Sequence, residues 1–489
     1  MASREVLHFI GGREVRSLSD RQFESVNPAT GQVIAEVAFG EAEDVDRAVG
    51  AAVRSFRDGA WTGLAPAERG RRLRRVGALI RERADSIAYD ESLDSGHPLV
   101  SAKSDVFAAA DLLDFAATLP EHVRGSVYSE KQGYFAYTVR EPYGVVGAIS
   151  PWNFPFLLAV WKTAFALAVG NSVVLKVSSE TPVTTSEYAR ICCEAGIPPG
   201  VLNVVHGDGL TTGAALAAHP DVPKLTFTGS TEAGRSILRA AEDQVKSCHL
   251  ELGGKTANIV FSDCDVEKAM AGSLMTSFSN TGQICTAGTR LLIDERLADD
   301  FLKEFVDRAA RIKVGDPLSP DTQMGPVVSA RQLERVTSYI KRGVTDGARL
   351  LLGEERPSVP NCEGGYFVGP TIFDAVTPTM AIAQEEIFGP VLSVLTFQSE
   401  EEAVAIANSV SYGLAATIWT NQLDRALRIA PRLEAGIIWT NCPHHLQWNI
   451  PYEGHKLSGI GEDMGSESIC EFTELKVNYV NFGGEKAPW

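Results

Sequence analysis

Short β-rich runs alternate with helical stretches along most of this chain, and that alternation limits the fold more than any other feature. Runs at 144–149, 172–175, 201–205 and 224–227 are interleaved with helical stretches that include 184–195 and 211–218. A second series starts near Gly253, with a run at 257–261, a helix to about Asn280, a run at 290–293 and a helix at 297–311. Later runs lie at 391–397 and 437–440. Strands separated by helices of this length predict βαβ units, hence an α/β fold built on two parallel sheets. Two more helical regions precede them. In 44–56 the residues Val45, Ala48, Val49, Ala52 and Val53 share a face. The region 66–93 reads as one long helix, with Arg69, Arg71, Arg72, Arg74 and Arg75 on its outer side.

Two segments stand apart. The run 127–140 is strand-like and polar, and the tail 472–480 is another strand-like run; both read as edge strands, which tend to find partners in another chain. The most apolar stretch, 154–174, is broken by Trp161, Lys162, Thr163, Gly170, Asn171 and Ser172. It predicts a buried helix running into a strand and not a membrane span. The formal net charge of −17 argues against a general nucleic-acid binder and against attachment to anionic membranes. The first residues carry no basic start followed by an apolar run, and the eight cysteines are scattered, with no CxxC pair and no compact Cys/His cluster. The expectation is a cytoplasmic protein with reduced thiols, no disulfides and no catalytic metal.

Four segments carry residue types suited to chemistry. In 278–290 a single cysteine, Cys285, lies between a Gly-Gln pair and small residues, which leave room for a substrate at sulfur. The plain alternative is a buried structural thiol. In 250–255 the carboxylate of Glu251 sits between leucines and is followed by Gly253 and Gly254. Desolvation suits a carboxylate to general-base work, although a surface Glu at a strand end is the commoner case. In 149–155 Pro151 and Pro155 fix a turn directly after an apolar run and hold Trp152 and Asn153 at the carboxyl end of a strand. α/β sheets bind ligands there, and an Asn amide can donate to an oxyanion; otherwise this is only a rigid loop. In 227–234 a strand runs through Gly229 and Ser230 into a helix start, a phosphate-binding geometry that is also common without a ligand.

Together these segments resemble the aldehyde dehydrogenase superfamily, and the resemblance covers nearly the whole chain. It includes Asn27–Gly31, the stretch 140–145, 196–201, 385–390 and 456–461. Within it the chain looks like the broad hydrolytic branch that includes retinal, betaine-aldehyde and benzaldehyde-type enzymes. The resemblance implies a Rossmann-like dinucleotide-binding domain at 1–123 and 143–252, a catalytic domain at 253–455, and oligomerisation strands at 124–142 and 470–489. It implies oxidation of a small-molecule aldehyde to an acid with NAD or NADP, in a homodimer or homotetramer. Cys285 would be the nucleophile, Glu251 the general base, Asn153 an oxyanion donor with the Cys285 N–H, and Lys162 a proton-handling residue. The cofactor would meet Ile149, Ser150, Pro151, Trp152, Lys176, Ser179, Gly209, Gly213, Phe227, Gly229, Ser230, Leu252, Glu386 and Phe388. Relatives that pass the acyl group to coenzyme A lack the base, and non-catalytic lens relatives lose catalytic residues; neither loss is seen here.

Matching positions place Phe154, Leu157, Leu158, Trp161, Ser279, Ile284, Thr286, His444, Leu446 and Tyr452 around the substrate, which predicts a bulky, aromatic or ring-bearing aldehyde. The pair His444-His445 reads equally as a solvated loop. Three positions depart from the family pattern. Ser179 stands where NAD-preferring members carry Glu, with Glu180 beside it and no arginine near in sequence. Glu453 replaces a glycine and Glu462 a common arginine, neither with an evident reason.

Overall fold

Most of the predicted β-runs become strands, and they sort into two sheets. The computed structural model describes residues 4–129, 133–353 and 355–483. The first sheet runs in the order Gly459–Ile460, Ser247–Glu251, Lys224–Thr228, Val145–Ile149, Ser172–Lys176, Leu202–Val205, His8–Ile10, Arg13–Val15. Its five central strands are parallel. The chain moves outward one way from Val145–Ile149 through Ser172–Lys176, then returns to Lys224–Thr228 on the other side. That reversal creates a switch point, where carboxyl strand ends open a crevice for a ligand. The second sheet runs Arg349–Leu352, Thr371–Asp374, Val391–Phe397, Arg290–Asp294, Ala257–Val260, Ala415–Trp419, Ile437–Thr440. All its pairings are parallel except that of the Arg349–Leu352 edge. The central strands of both sheets are buried along their whole length, as strands covered by helices on both faces must be.

The apolar 154–174 stretch is the helix Pro155–Ala168, buried at every residue but Leu157, followed by a strand. Its first turn is anchored by a buried carboxylate. Glu91 accepts the Phe156 N–H at 2.9 Å and the Thr184 hydroxyl at 2.8 Å, and so supplies an acceptor to otherwise orphaned helix donors.

Region 66–93 is two helices, Pro66–Glu82 and Ala84–Ser95, separated at Arg83. Arg69 is not on the outer side. It is buried, and its guanidinium donates to the carbonyls of Ala168, Thr62 and Leu64. Such carbonyls at the ends of elements need donors, and the arginine supplies three at once. The 211–218 helix is shorter than expected, a turn Gly209–Gly213 leading into Ala214–Ala218. Strands Arg4–Val6, Gln22–Val26 and Val33–Ala38 and helices Leu99–Ala116 and Ala330–Thr345 complete the layers.

The two segments expected to be edge strands pair with each other. Tyr134–Pro142 lies between Val127–Ser129 and Thr473–Asn481, and the register runs from Thr473 opposite Pro142 to Asn481 opposite Tyr134. The first segment is therefore a hairpin whose second strand is central. The second strand pairs along its whole length with Thr473–Asn481 and over Phe135–Tyr137 with Val127–Ser129, so among the described residues those two strands form the edges of this sheet. Residues 130–132 and 484–489 of the expected oligomerisation segments lie outside the described residues. Among the described residues no helix is long and apolar enough to cross a membrane, and all eight cysteines are free.

Candidate active site

The two glycines after Glu251 have a steric reason. A Cβ at Gly253 would meet the Glu386 carboxylate, and one at Gly254 would meet the Cys285 carbonyl. The end of the Ser247–Glu251 strand thus packs its bare backbone against both the Glu386 side chain and the Cys285 loop. Gly254 N donates to Glu386 Oε1 at 2.9 Å. The loop before Cys285 is strained: Asn280 and Thr281 hold φ of 48° and 56°, values costly for residues with a Cβ. Surrounding bonds maintain it. Asn280 Nδ2 donates to Asn153 O at 2.8 Å, Thr281 Oγ1 to Gly325 O at 3.0 Å, and Gln283 Oε1 accepts Val328 N at 3.0 Å. Gly282, at φ 69°, lies against the Gly389 carbonyl, where no side chain fits.

Asn153 is buried, and its Nδ2 donates to Gln283 O at 3.0 Å, beside the Cys285 loop. An amide carries two hydrogens, so one remains for a substrate oxygen. The Cys285 N–H makes no hydrogen bond among the described residues. The thiol lies 3.5 Å from the Tyr452 hydroxyl. Burial pushes the Cys285 thiol up to about 11; the Tyr452 hydroxyl and the Thr286 N–H oppose the shift, while Glu251 and Glu386 add to it.

Glu251 is buried, and its Oε1 has no hydrogen-bond partner among the described residues. Burial pushes its carboxyl well above the usual carboxylate range; Lys162 pulls it down, and Asp463 and Glu453 push it further up. Lys162 Nζ lies 2.5 Å from Asp463 Oδ2, and both side chains are 1% exposed. His249 lies between them, its Nε2 3.6 Å from Glu251 Oε1 and 3.7 Å from Asp463 Oδ2. The donor atoms of His249, Glu251 and Asp463 all lie within 4.8 Å of one another, with the Lys162 ammonium as their adjacent positive charge. Neither Asp463 nor His249 was singled out in the sequence. Glu453 and Glu462 stand directly opposite each other in a two-stranded ladder, a like-charge pairing that costs stability. Burial first, then Glu453, Glu467 and Glu471, hold the Glu462 carboxyl high.

Most of the residues matched to a dinucleotide lie at or after the carboxyl ends of the first sheet's strands. Ile149 ends a central strand and Ser150 follows it; the Ser150 hydroxyl is buried without a partner among the described residues, and its N–H bonds Lys176 O at 3.1 Å. Lys176 is buried, its ammonium has no hydrogen bond among the described residues, and burial pushes it down to about 8 against the pull of Asp208 and Glu180. Such orphaned donors fit the polar groups of a ribose. Ser230 caps the helix Thr231–Ala241, its hydroxyl accepting the Ala233 N–H at 3.2 Å. A Cβ at Gly229 would strike the Phe227 ring, and one at Gly234 would strike Leu252. Gly209 and Gly213 lie in the turn capped by Asp208, and no steric contact demands glycine at either. Trp152, next to Pro151, meets Phe388 edge-on with ring centroids 5.1 Å apart. Phe388 holds φ of 62°, with its carbonyl bonded by Gln332 at 2.7 Å. Burial raises the nearby Glu386 to about 7, opposed by the Gly254 N–H, Lys255 and Arg335.

Ser179 is half-buried. The adjacent Glu180 is not free: Arg331 reaches it at 2.8 Å from the helix Ala330–Thr345. Sequence proximity offered no arginine, but the fold brings one across.

Of the pocket residues, Phe154, Leu157, Leu158, Trp161 and Tyr452 fall in one apolar cluster with Cys285 and Trp448. Trp161 stands edge-on to both Trp448 (5.4 Å) and Tyr452 (5.7 Å). Trp448 was not anticipated; an aromatic residue four positions before Tyr452 was the only signal. Ile284 is half-buried beside Cys285, and Thr286 is buried. His444 is not a solvated loop residue: its Nε2 donates to Thr286 O at 3.1 Å. Leu446 is exposed and lies outside the cluster. Ser279 instead lines a surface cleft of about 440 Å³ with Met275, Phe278, Arg308 and Arg311.

A half-buried thiol, a desolvated carboxylate and an Asn amide thus lie together beside the carboxyl ends of a parallel sheet. The aldehyde dehydrogenase family model matches residues 15–478, and the chain belongs to that family. It is similar to the betaine aldehyde dehydrogenase of Bacillus subtilis, at 41% identity over 98% of each chain. Its fold matches PnpE in complex with nicotinamide adenine dinucleotide, with a TM-score of 0.97, 41% identity and 99% of each chain covered. It equally matches the indole-3-acetaldehyde dehydrogenase AldA of P. syringae, a cysteine-to-alanine mutant in complex with NAD+ and IAA. There the TM-score is 0.96 at 41% identity, over 98% of this chain and 97% of that one. The chain is thus an aldehyde-oxidising oxidoreductase of the EC 1.2.1 class, with NAD or NADP as cofactor.

Proposed function

We propose that this enzyme oxidises a bulky, aromatic or ring-bearing aldehyde to its carboxylic acid by way of Cys285, with Glu251 as base. The observation that carries this reading is the position of the Cys285 thiol. It lies beside the Trp161–Trp448–Tyr452 rings, with an unpartnered carboxylate oxygen of Glu251 in the same buried site. The sulfur, once deprotonated, adds to the aldehyde carbon, and the new oxyanion takes the spare Asn153 hydrogen and the free Cys285 N–H. When bound, the dinucleotide supplies the hydride acceptor. Loss of hydride from carbon leaves a thioester on Cys285. Glu251 then takes a proton from water as the hydroxyl adds to the acyl carbon, and the thiolate leaves with release of the acid. Lys162 and Asp463 form the buried ion pair behind the base, and Trp152, Lys176, Ser230, Glu386 and Phe388 would hold the cofactor. A polar group on the substrate ring has the Trp161 N–H available, which is buried without a partner; His444 is already engaged by Thr286.

The cofactor reading follows from charge. A carboxylate at position 179 would accept ribose hydroxyls and repel a 2′-phosphate. Ser179 removes that charge, and Arg331 offsets that of Glu180. NADP is therefore accepted beside NAD. A panel of aldehydes run with both cofactors tests these points together. An aromatic aldehyde is expected to exceed acetaldehyde in kcat/KM, and Ser179→Glu to lower NADP kcat/KM by about tenfold or more, the effect of a single close charge. Acetaldehyde leading the panel would refute the aromatic pocket. Undetectable NADP turnover beside efficient NAD turnover would refute the charge argument.

The three-stranded sheet is read as the assembly surface of a homodimer or homotetramer. Val127, Leu475, Val477 and Tyr479 are exposed on its two edge strands, and free edges lined with apolar side chains invite pairing with a second copy. The double variant Leu475→Lys, Tyr479→Lys is expected to reduce the mass seen by light scattering to that of a smaller species. An unchanged mass would place the interface elsewhere.

A further inference from the structure

The strand Ser247–Glu251 turns Ser247, His249 and Glu251 to one side, because alternate residues share a face. Across the parallel ladder His249 is registered with Thr226. His249 is fully buried, and its Nδ1 lies 2.9 Å from Thr226 Oγ1. That hydroxyl has no other hydrogen bond among the described residues, so it donates to Nδ1 and leaves the ring proton on Nε2. Nε2 in turn has no hydrogen-bond partner among the described residues. Of the two carboxylate oxygens near it, Asp463 Oδ2 already accepts from Lys162, whereas Glu251 Oε1 accepts from nothing. A buried donor and a buried acceptor, both unsatisfied and 3.6 Å apart, need only a small side-chain shift to bond, and each is costly to leave unmade.

We infer that His249 is a positioning residue for the base: its Nε2–H donates to the Glu251 carboxylate and favours the ionised form that takes the proton from water. This rests on the reading of Glu251 as the base. The other groups that face Glu251 are Lys162 from the helix Pro155–Ala168, Asp463, Glu453, and Cys285 with Tyr452. Those that face His249, besides Glu251 itself, are Asp463, Lys162, Lys224 and Glu471. Burial first, then Lys162 and Lys224, holds the imidazole well below its ordinary value against the pull of Glu471, so it acts as a neutral donor. A donor to the charged form lowers a carboxyl pKa, and its removal raises it.

The test is the acid limb of the kcat–pH profile, with pre-steady-state measurement of reduced cofactor. In His249→Leu the limb moves upward by about one pH unit, about a tenfold loss of kcat at pH values below the limb, and the burst persists. His249→Gln keeps a neutral N–H donor and stays near the wild-type limb. Thr226→Val frees Nδ1 to take the ring proton and moves the limb in the same direction as Leu; it carries the test if the Leu variant does not fold. A folded His249→Leu or Thr226→Val enzyme with its limb in place overturns the inference, as does a Gln variant shifted as far as Leu. Glu251→Gln in the same series separates the two levels. If it turns over at the wild-type rate, the reading of Glu251 as base is wrong. If it stalls after the burst while the His249→Leu limb stays put, only the role of His249 is wrong.

Discussion

A Cys285→Ala variant is expected to lose aldehyde oxidation, with turnover down by at least about 10⁴-fold, the scale seen when a covalent nucleophile is removed. Its dinucleotide affinity is expected to stay close to wild type. The thiol's hydrogen-bonding neighbours are the Tyr452 hydroxyl and the Thr286 N–H, neither of them among the groups read as holding cofactor. The loop conformation is also independent of sulfur, since Asn280, Thr281, Gly282 and Gln283 hold it. Initial rates and a fluorescence titration with reduced cofactor check both halves. Residual turnover within tenfold of wild type would exclude Cys285 as nucleophile, and loss of cofactor binding would mean that the substitution acts on the fold.

Glu251→Gln is expected to separate the two halves of the reaction. Glutamine fills the same space but cannot take a proton from water, so one equivalent of reduced cofactor forms quickly and steady turnover then falls by about 10²–10⁴-fold. In the wild type, burial raises the Glu251 carboxyl well above the usual range. The base form is therefore present only above that raised value, and turnover is lost as pH falls through it. The acid limb of kcat should accordingly sit at higher pH than an ordinary carboxylate would give, and it should vanish from the residual rate of the glutamine variant. Stopped-flow absorbance at several pH values decides this. A glutamine variant with normal steady turnover would remove Glu251 from the mechanism.

What the sequence revealed about the site follows from how local each signal is. Asn153 and Trp152 are held by flanking prolines, and the two glycines after Glu251 by contacts a Cβ would destroy, so their motifs stay short and recognisable. Asp463, Trp448 and Arg331 carry no such mark. Each is an ordinary residue that matters because the fold places it against Lys162, Trp161 or Glu180, hundreds of positions away in two of the three cases. His249 is visible as a letter, but its tautomer depends on register with Thr226, which only the sheet supplies. The same holds for the architecture. Alternating runs predict the two parallel sheets, whereas the break at Arg83 has no glycine or proline to announce it. The burial of Arg69 depends on carbonyls from two other segments.

The pairing of Lys162 with Asp463 joins positions 301 apart, and Tyr452 reaches Cys285 across 167. Contacts of such separation bear the loop-closure entropy of everything between them, and a ribosome delivers the chain one end first. The five parallel strands of the first sheet can therefore condense around their local βαβ units while Tyr452 and Asp463 have yet to arrive. The thiol loop waits for Gly325, Val328 and Gly389, which hold it, and the proton-handling side is closed last. A nascent chain accordingly carries its nucleophile for many seconds before it carries a working site.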